Sequence, residues 1–339
     1  MLKFCLVLIG NRVVKSMMYR SVFKWCLVVS LLSGCGGGGS SSDGSPAAMD
    51  ISFDNVNVVF FESFGQLESG LDIADALMSI TLSAVPSLTP GGTTPFACDD
   101  GSGSNFVEYQ SATATVEAGD TIIDTYTSCD LAGVILDGVI TFSFEANTDA
   151  LTDFFEGTVT FENFTVLIDS TSVGVRGSLS FAINESDDSF RYRNSQTVSD
   201  DNFEVGAGPI ANEFSDSIIY DIVNAQRFSA TRSLDLDVSY DSPILNQTVA
   251  IETTPQLQAN PGEWPSFGGV TISAGDSFVE LNAIENFINN TGLPIFSISV
   301  NGMTPSAPNP NPDPLAPSLL FNDVRWDEIS IGFFVPFGS

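Results

Sequence analysis

Few types of side chain in this 339-residue chain can carry acid–base or nucleophilic chemistry. The chain contains no histidine, and every lysine lies among its first 35 residues. These absences exclude catalysis by Ser-His-Asp or Cys-His groups, and they exclude Schiff-base chemistry after the leader. Carboxylates are left, but among 42 acidic residues some will pair by chance. We therefore predict no catalytic residue and no enzyme activity, with a carboxylate-based glycosidase as the alternative.

Acidic residues also cluster in predicted loops, where their oxygen atoms would suit calcium. None of these clusters has the spacing of an EF-hand loop, and solvated loop charges are the simpler interpretation. We therefore predict no metal site and no cofactor, and retain six residues as calcium candidates. The candidates are Asp99, Asp100, Asp187, Asp188, Asp200 and Asp201.

The five cysteines divide into two groups. Cys5, Cys26 and Cys35 belong to the first 35 residues. Cys98 and Cys129 remain, and an even pair in an exported chain predicts a disulfide. A metal site is the alternative for this pair, although two thiols without a histidine do not complete a tetrahedral zinc site.

The first 35 residues have the three parts of a secretory signal. They carry five basic residues and no acidic one, and Arg20 and Lys24 precede an apolar run from Trp25 to Leu32. That run is too short for a membrane-spanning helix, which needs about 20 apolar residues. Small residues follow the run, so the pattern predicts an exported protein.

The end of this leader, Leu32-Ser33-Gly34-Cys35, resembles the lipobox of bacterial lipoproteins. The resemblance implies cleavage before Cys35 and lipidation of its thiol, with fatty acids such as palmitate. An ordinary signal peptide followed by a chance cysteine is the alternative. Gly36 stands where an aspartate tends to retain lipoproteins in the inner membrane. The resemblance therefore implies anchoring to the outer membrane, on its periplasmic face.

The chain after the leader is strongly acidic. It begins with a segment rich in glycine and serine, which predicts a flexible tether. Six arginines stand against 42 acidic residues, a net charge near −36. Such a chain repels nucleic acid, which binds through lysine and arginine. The simplest role of the charge is solubility, rather than binding to a specific cationic partner.

Hydrophobic periodicity predicts one long helix near the start of the folded part. Residues 51–61 are typical of an opening strand. Leu67, Leu71 and Ala74 then begin a pattern with steps of three and four residues, which predicts a helix over residues 66–84. Gly70 inside this pattern weakens the helix.

The remainder alternates between apolar and polar residues, which predicts antiparallel strands that cover a core on one face. The phase of the alternation slips near Glu162 and Asn163, and one extra residue in a β-bulge would produce that slip. Glycine-containing pairs between the strands predict turns. These pairs are Asp137-Gly138, Glu156-Gly157 and Arg176-Gly177.

The layout is similar to uncharacterised acidic lipoproteins of Gram-negative bacteria. These too have a lipobox, a tether, a cysteine pair bracketing a Gly-Asp turn, and a late strand ending near a tryptophan. The matching residues are Cys98, Gly119, Asp120, Cys129 and Trp326. The proline-rich residues 303–318 depart from the pattern, because a shorter turn is expected there. The resemblance implies no activity.

We predict a mainly β protein with one large, bent antiparallel sheet, as in a half-barrel or roll, and one N-terminal helix. A two-sheet β-sandwich is the alternative fold. The signal peptide takes residues 1–34, and the lipidated cysteine and tether take residues 35–47. Residues 48–339 form a single β-rich domain, with residues 303–318 as a proline-rich loop.

We further predict a membrane-anchored lipoprotein that acts as a non-catalytic binding or interaction module of the cell envelope. Its partners are the membrane, through the lipid anchor, and an envelope protein, glycan or lipid, but not nucleic acid. The alternative is a periplasmic carrier, in which the bent sheet leaves a cavity lined by some of the 27 phenylalanines. The two functions differ in whether the interior is hollow. The sequence leaves the oligomeric state open.

Overall fold

A computed structural model describes much of the chain after the tether. The described residues are 47–52, 55–131, 133–145, 154–168, 171–184, 189–194, 202–209, 217–228, 233–258, 267–288, 294–302 and 324–325. The predicted leader, lipobox and tether lie outside them, as do the proline-rich residues 303–318 and Trp326.

The folded part begins with one enclosed helical segment. Helix α1 (Val56–Phe60) continues through a π-helical turn (Phe61–Gln66) into helix α2 (Leu67–Ala84), and a 3₁₀ turn (Val85–Ser87) ends it. The predicted helix is confirmed almost to the residue. The predicted opening strand is wrong, because its second half forms α1. A short apolar run cannot be assigned to a strand or a buried helix by periodicity alone.

The described residues after the helix form fifteen strands and a further 3₁₀ turn at Asp99–Gly101. The strands are β1 (Gly92–Phe96), β2 (Ser104–Gln110), β3 (Thr121–Leu131), β4 (Val134–Phe144), β5 (Phe154–Ile168), β6 (Thr171–Asn184), β7 (Ser189–Asn194), β8 (Phe203–Pro209), β9 (Ile218–Phe228), β10 (Ser233–Ser242), β11 (Gln247–Thr253), β12 (Gly269–Ala274), β13 (Ser277–Ile288), β14 (Pro294–Val300) and β15 (Val324–Arg325).

All these strands belong to one antiparallel sheet, in which chain neighbours are usually sheet neighbours. The exception is the position between β6 and β9, which β7 and β8 share end to end. β7 pairs with one end of β6 and β9, and β8 pairs with the other end. The sheet is bent and does not close on itself. The predicted fold class is confirmed, and the sandwich alternative is not.

The predicted β-bulge is confirmed. The pairing of β5 with β6 shifts between Phe161 and Phe164, and Asn163 between them has φ 47°. Gly138 of β4 lies beside this bulge with φ 115°, and a Cβ on it would lie 2.8 Å from the carbonyl oxygen of Asn163. Gly138 therefore allows two backbones to approach closely where the sheet bends.

The three predicted glycine turns are wrong, because each glycine lies inside a long strand. Gly138 belongs to β4, Gly157 to β5 and Gly177 to β6. A Cβ on Gly157 or Gly177 would also run into the backbone of a neighbouring segment. Glycine inside a strand marks such a close approach as readily as it marks a turn.

The core lies between the inward face of the sheet and the helix. The predicted alternation is confirmed on β4, where Val134, Leu136, Ile140, Phe142 and Phe144 are buried and the residues between them are exposed or half-buried. Helix α2 contributes buried residues around most of its circumference. Helix α2 therefore fills the part of the concave side of the sheet against which it packs.

Helix α2 approaches the sheet closely at Gly70. A Cβ added to Gly70 would lie 2.5 Å from Cγ2 of Val205 and 2.8 Å from Cζ of Phe203, both on β8. Such distances are shorter than side chains tolerate, so only glycine fits without a shift of β8. The residue that weakens the helix in isolation is thus the one that lets it pack.

Candidate functional site

The predicted disulfide is confirmed. Cys98 and Cys129 are bonded, with their Cα atoms 5.3 Å apart. The bond joins the segment before β2 to β3 at the position where the pairing of β3 with β4 shifts. Ser128, next to the bond, has φ 46°, and Asp137 accepts a hydrogen bond from its backbone N–H at 2.8 Å. The disulfide therefore closes one end of the first three strands.

The other predicted site residues are only partly described. Asp99 and Asp100 lie in the 3₁₀ turn, where the carbonyl oxygen of Asp99 accepts hydrogen bonds from Ser102. Cys35 and the remaining calcium candidates, Asp187, Asp188, Asp200 and Asp201, fall outside the described residues. Within the described part of the chain, no group of three potential metal ligands comes together.

The structure instead brings together polar side chains between the helix and the sheet. Arg227 of β9 is 2% exposed, and its Nη1 lies 2.8 Å from Oδ2 of Asp75 on α2. Nη2 of Arg227 also donates a hydrogen bond to Asp72, one turn earlier on the same helix. Tyr192 of β7 donates its hydroxyl to Oδ1 of Asp75 at 2.6 Å. We call these four residues the Arg227 cluster.

The Arg227 cluster is an ion-pair network in which Arg227, Asp75 and Tyr192 are buried and Asp72 is half-buried. Burial alone lowers the pKa of Arg227, but the carboxylates of Asp75, Asp72 and Glu68 raise it, and the net shift is upward. Burial, followed by the charge of Asp75, raises the pKa of Tyr192 well above its ordinary value. Arg227 therefore stays charged and Tyr192 stays protonated, so both remain hydrogen-bond donors.

A second group, the Glu62 cluster, surrounds the π-helical turn. Oε2 of Glu62 accepts hydrogen bonds from Ser242 at 2.6 Å and from the hydroxyl of Tyr240 at 3.3 Å. Oγ of Ser63 lies 3.0 Å from the same Tyr240 hydroxyl. Tyr220 donates its hydroxyl to the backbone oxygen of Glu62 at 2.6 Å. Burial raises the pKa of Glu62, and the hydrogen bonds from Ser242 and Tyr240 oppose that shift only in part.

A third buried carboxylate lies on the sheet itself. Asp124 of β3 points into the core and is 2% exposed. It accepts hydrogen bonds from Nδ2 of Asn105 on β2 and, at 2.7 Å, from the hydroxyl of Tyr126. Burial raises the pKa of Asp124 to about 6, although both hydrogen bonds oppose the shift.

The Arg227 and Glu62 clusters fix the helix against the sheet. Buried polar groups are costly unless they are hydrogen-bonded, so their partners define one position for the helix along the strands. Gln66 adds a further contact, with its Nε2 donating to the carbonyl oxygen of Val205 at 2.6 Å. We assign the Arg227 and Glu62 clusters a positioning role.

Sequence reasoning did not find these clusters. Asp72 and Asp75 lie outside the apolar pattern that predicts the helix, which by itself indicates only solvated residues. A usable signal was the alternation in β9, where Tyr220 and Ile222 point inward and, after the bulge, Ala225 and Arg227 do so. An arginine at an inward position requires a buried acidic partner.

Comparison with family models, with curated proteins and with solved structures finds no match to this chain. Neither helix in the described part of the chain has the length and apolar composition needed to cross a lipid bilayer.

Proposed function

We propose that the protein is an exported lipoprotein, anchored by a lipid on Cys35 to the outer membrane, and that its β domain is a non-catalytic interaction module of the envelope. The observation that carries the proposal is the segment Leu32-Ser33-Gly34-Cys35 directly after a basic and apolar leader. Several acyl chains hold a protein on a membrane firmly, whereas one does so only marginally.

The disulfide supports export. Disulfides form and persist in oxidising compartments such as the bacterial periplasm and are rare in the cytosol. The Cys98–Cys129 bond joins residues 31 positions apart and lies within the fold. The acidic surface supports the same proposal, because it favours a well-solvated domain over one that lies flat on anionic lipids.

The packing around the helix favours an interaction module over a carrier. A carrier of the half-barrel kind would keep apolar space on the concave side of its sheet. Here α2 lies on that side, with Leu67, Leu71, Ala74, Leu77 and Met78 at most 1% exposed. Polar clusters and the contact at Gly70 hold it there. The carrier remains the alternative.

Lipidation is tested by replacing Cys35 with alanine in the full chain, produced in a Gram-negative host. Cys26→Ala, in the apolar run of the same leader, is the matched control. The wild type and C26A are expected in the membrane fraction, with incorporated labelled palmitate and the mass of a chain that starts at Cys35. C35A is expected to lose the label. A C35A protein that keeps the label and the membrane location would disprove the anchor.

The carrier alternative is tested by native mass spectrometry of the purified, lipidated protein. An additional mass of a few hundred daltons that disappears on organic extraction, beyond the covalent lipid, would support a bound apolar ligand. A mass equal to that of the lipidated chain, with no uptake of added fatty acid or phospholipid, would support the interaction module.

A further inference from the structure

The chain enters the fold at one defined end of the sheet. The backbone N–H of Met49 donates to the carbonyl oxygen of Leu245 at 2.9 Å, and Nε2 of Gln247 donates to the carbonyl oxygen of Met49 at 2.7 Å. Two residues later, the N–H of Ile51 donates to Oγ of Ser277 at 2.7 Å. Nδ2 of Asn301 donates to the carbonyl oxygen of Ile51 at 3.0 Å.

The partners of Met49 and Ile51 all lie in or next to turns at the same end of the strands. Residues 243–246 connect β10 to β11, residues 275–276 connect β12 to β13, and residues 301–302 follow β14. Because the strands are antiparallel in unbroken order, these three turns lie side by side. We call them the entry rim. Four hydrogen bonds thus fix the first residues after the tether to the entry rim.

The opposite ends of the same strands form the distal rim. It includes the start of β10 and the segment after β11, where Leu257 bridges to Leu234 and Gln258 to Phe267. Strand β10 has ten residues, so the two rims are about 30 Å apart at about 3.4 Å per residue. Phe267 at the distal rim is 53% exposed.

The tether is short relative to that separation. A flexible coil with the length and the glycine- and serine-rich composition of residues 36–47 has an expected root-mean-square span of about 20 Å. A lipid on Cys35 therefore keeps the entry rim closer to the bilayer than the distal rim. The exposed Asp50, Asp241 and Asp276 at the entry rim repel anionic headgroups. A gap of about 20 Å exceeds the Debye length of about 8 Å at physiological salt, so the tether relieves this repulsion.

We propose that the entry rim faces the lipid surface and that the distal rim points away from it. This orientation rests on the proposed lipid anchor at Cys35. It follows from the hydrogen bonds that hold Met49 and Ile51 at the entry rim.

The orientation is tested with single cysteines in the full lipidated chain. Asp276→Cys places a donor fluorophore at the entry rim, and Gln258→Cys places the matched donor at the distal rim; both side chains are exposed. The proteins are reconstituted into vesicles of phosphatidylethanolamine and phosphatidylglycerol that carry an acceptor on the lipid headgroup. We expect energy transfer from position 276 to exceed that from position 258 about twofold or more, given the tether and rim distances.

Flotation of the vesicles separates the two proposals. Equal transfer from both positions, or greater transfer from position 258, in protein that floats with the vesicles would overturn the orientation and leave the anchor intact. Lipid-dependent flotation is itself checked with C35A, which is expected to stay at the bottom of the gradient. Wild-type protein that fails to float would overturn the anchor, and the orientation with it.

Discussion

Nη1 of Arg227 on β9 lies 2.8 Å from Oδ2 of Asp75 on helix α2, and both residues of this ion pair are buried. The two residues are far apart in the chain, so the contact exists only when the sheet has folded around the helix. A buried pair of this kind contributes specificity more than net stability, since desolvation offsets much of the attraction. Breaking it from one side is nevertheless costly.

Replacing Arg227 with methionine tests this pair. The variant leaves the buried Asp75 and the half-buried Asp72 without their cation, and we expect a loss of about 3–5 kcal/mol in the free energy of unfolding. Urea denaturation monitored by circular dichroism measures it. Arg193→Met, at an exposed position on β7, is the matched control and should change stability by less than about 0.5 kcal/mol. Equal effects of the two substitutions would contradict the role of Arg227.

Asp124 predicts a pH dependence of stability. Its pKa is about 6 in the folded protein and 3.8 ordinarily, so the folded state holds the proton more tightly. The contribution of Asp124 to stability is therefore complete below pH 4 and is lost as the pH rises through 6, by about 3 kcal/mol in all. Asp124→Asn, which cannot ionise, should remove that part of the decline.

The measurement for Asp124 is the difference in unfolding free energy between pH 4 and pH 7, compared for wild type and D124N. Comparing differences cancels the titration of other carboxyl groups, including Glu62, whose pKa is also raised by burial. The same decline in both proteins would show that Asp124 is not buried as a carboxyl group with a raised pKa.

Gly70→Ala tests the close contact between α2 and β8. Alanine is about 1 kcal/mol more favourable than glycine in the interior of a helix, so helix propensity alone predicts that the substitution stabilises the protein. The contact with Val205 and Phe203 predicts the reverse, a loss of about 1–3 kcal/mol through overpacking. Thermal unfolding decides between the two signs. Ser83→Ala, at an exposed position on the same helix, is the control and should be nearly neutral.

Removing the disulfide tests how far it stabilises the fold. Closing a loop of 31 residues contributes about 3–4 kcal/mol by the chain-entropy estimate. The double variant Cys98→Ser and Cys129→Ser should lower the urea midpoint accordingly, and a reducing agent should lower the midpoint of the wild type only. An unchanged midpoint in both experiments would contradict this contribution of the disulfide to stability.

The sequence alone predicted the fold class, the long helix, the disulfide and the bulge at Asn163. Each of these depends on a local pattern: a period of two or 3.6 residues, a phase slip, or an even pair of cysteines. The secondary structure of residues 56–60 was not predictable, because a short segment with four apolar residues out of five suits a buried helix and a buried strand equally. Gly138 was misassigned because a glycine in a bend and a glycine in a turn have the same local sequence.

The buried clusters also could not be predicted from the sequence, and the reason is different. Glu62 and Ser242 meet only because β10 crosses the helix at the π-helical turn, a relationship set by the whole sheet. Tyr192 reaches Asp75 from β7, a short strand whose place between β6 and β9 is shared with β8. Such contacts depend on strand order and register, which hydrophobic periodicity does not specify.

The position of the helix at the start of the chain has a consequence for biogenesis. Helix α2 is synthesised before the strands, yet Phe203 and Arg227, which pack against it, are made more than a hundred residues later. Contacts over such separations form slowly. The growing chain therefore exposes the apolar and acidic side chains of this segment until strands β8 and β9 have been made. If the chain is exported as proposed, this segment would complete its folding only after translocation, and a chaperone that holds the unfolded chain would act on the helix rather than on the sheet.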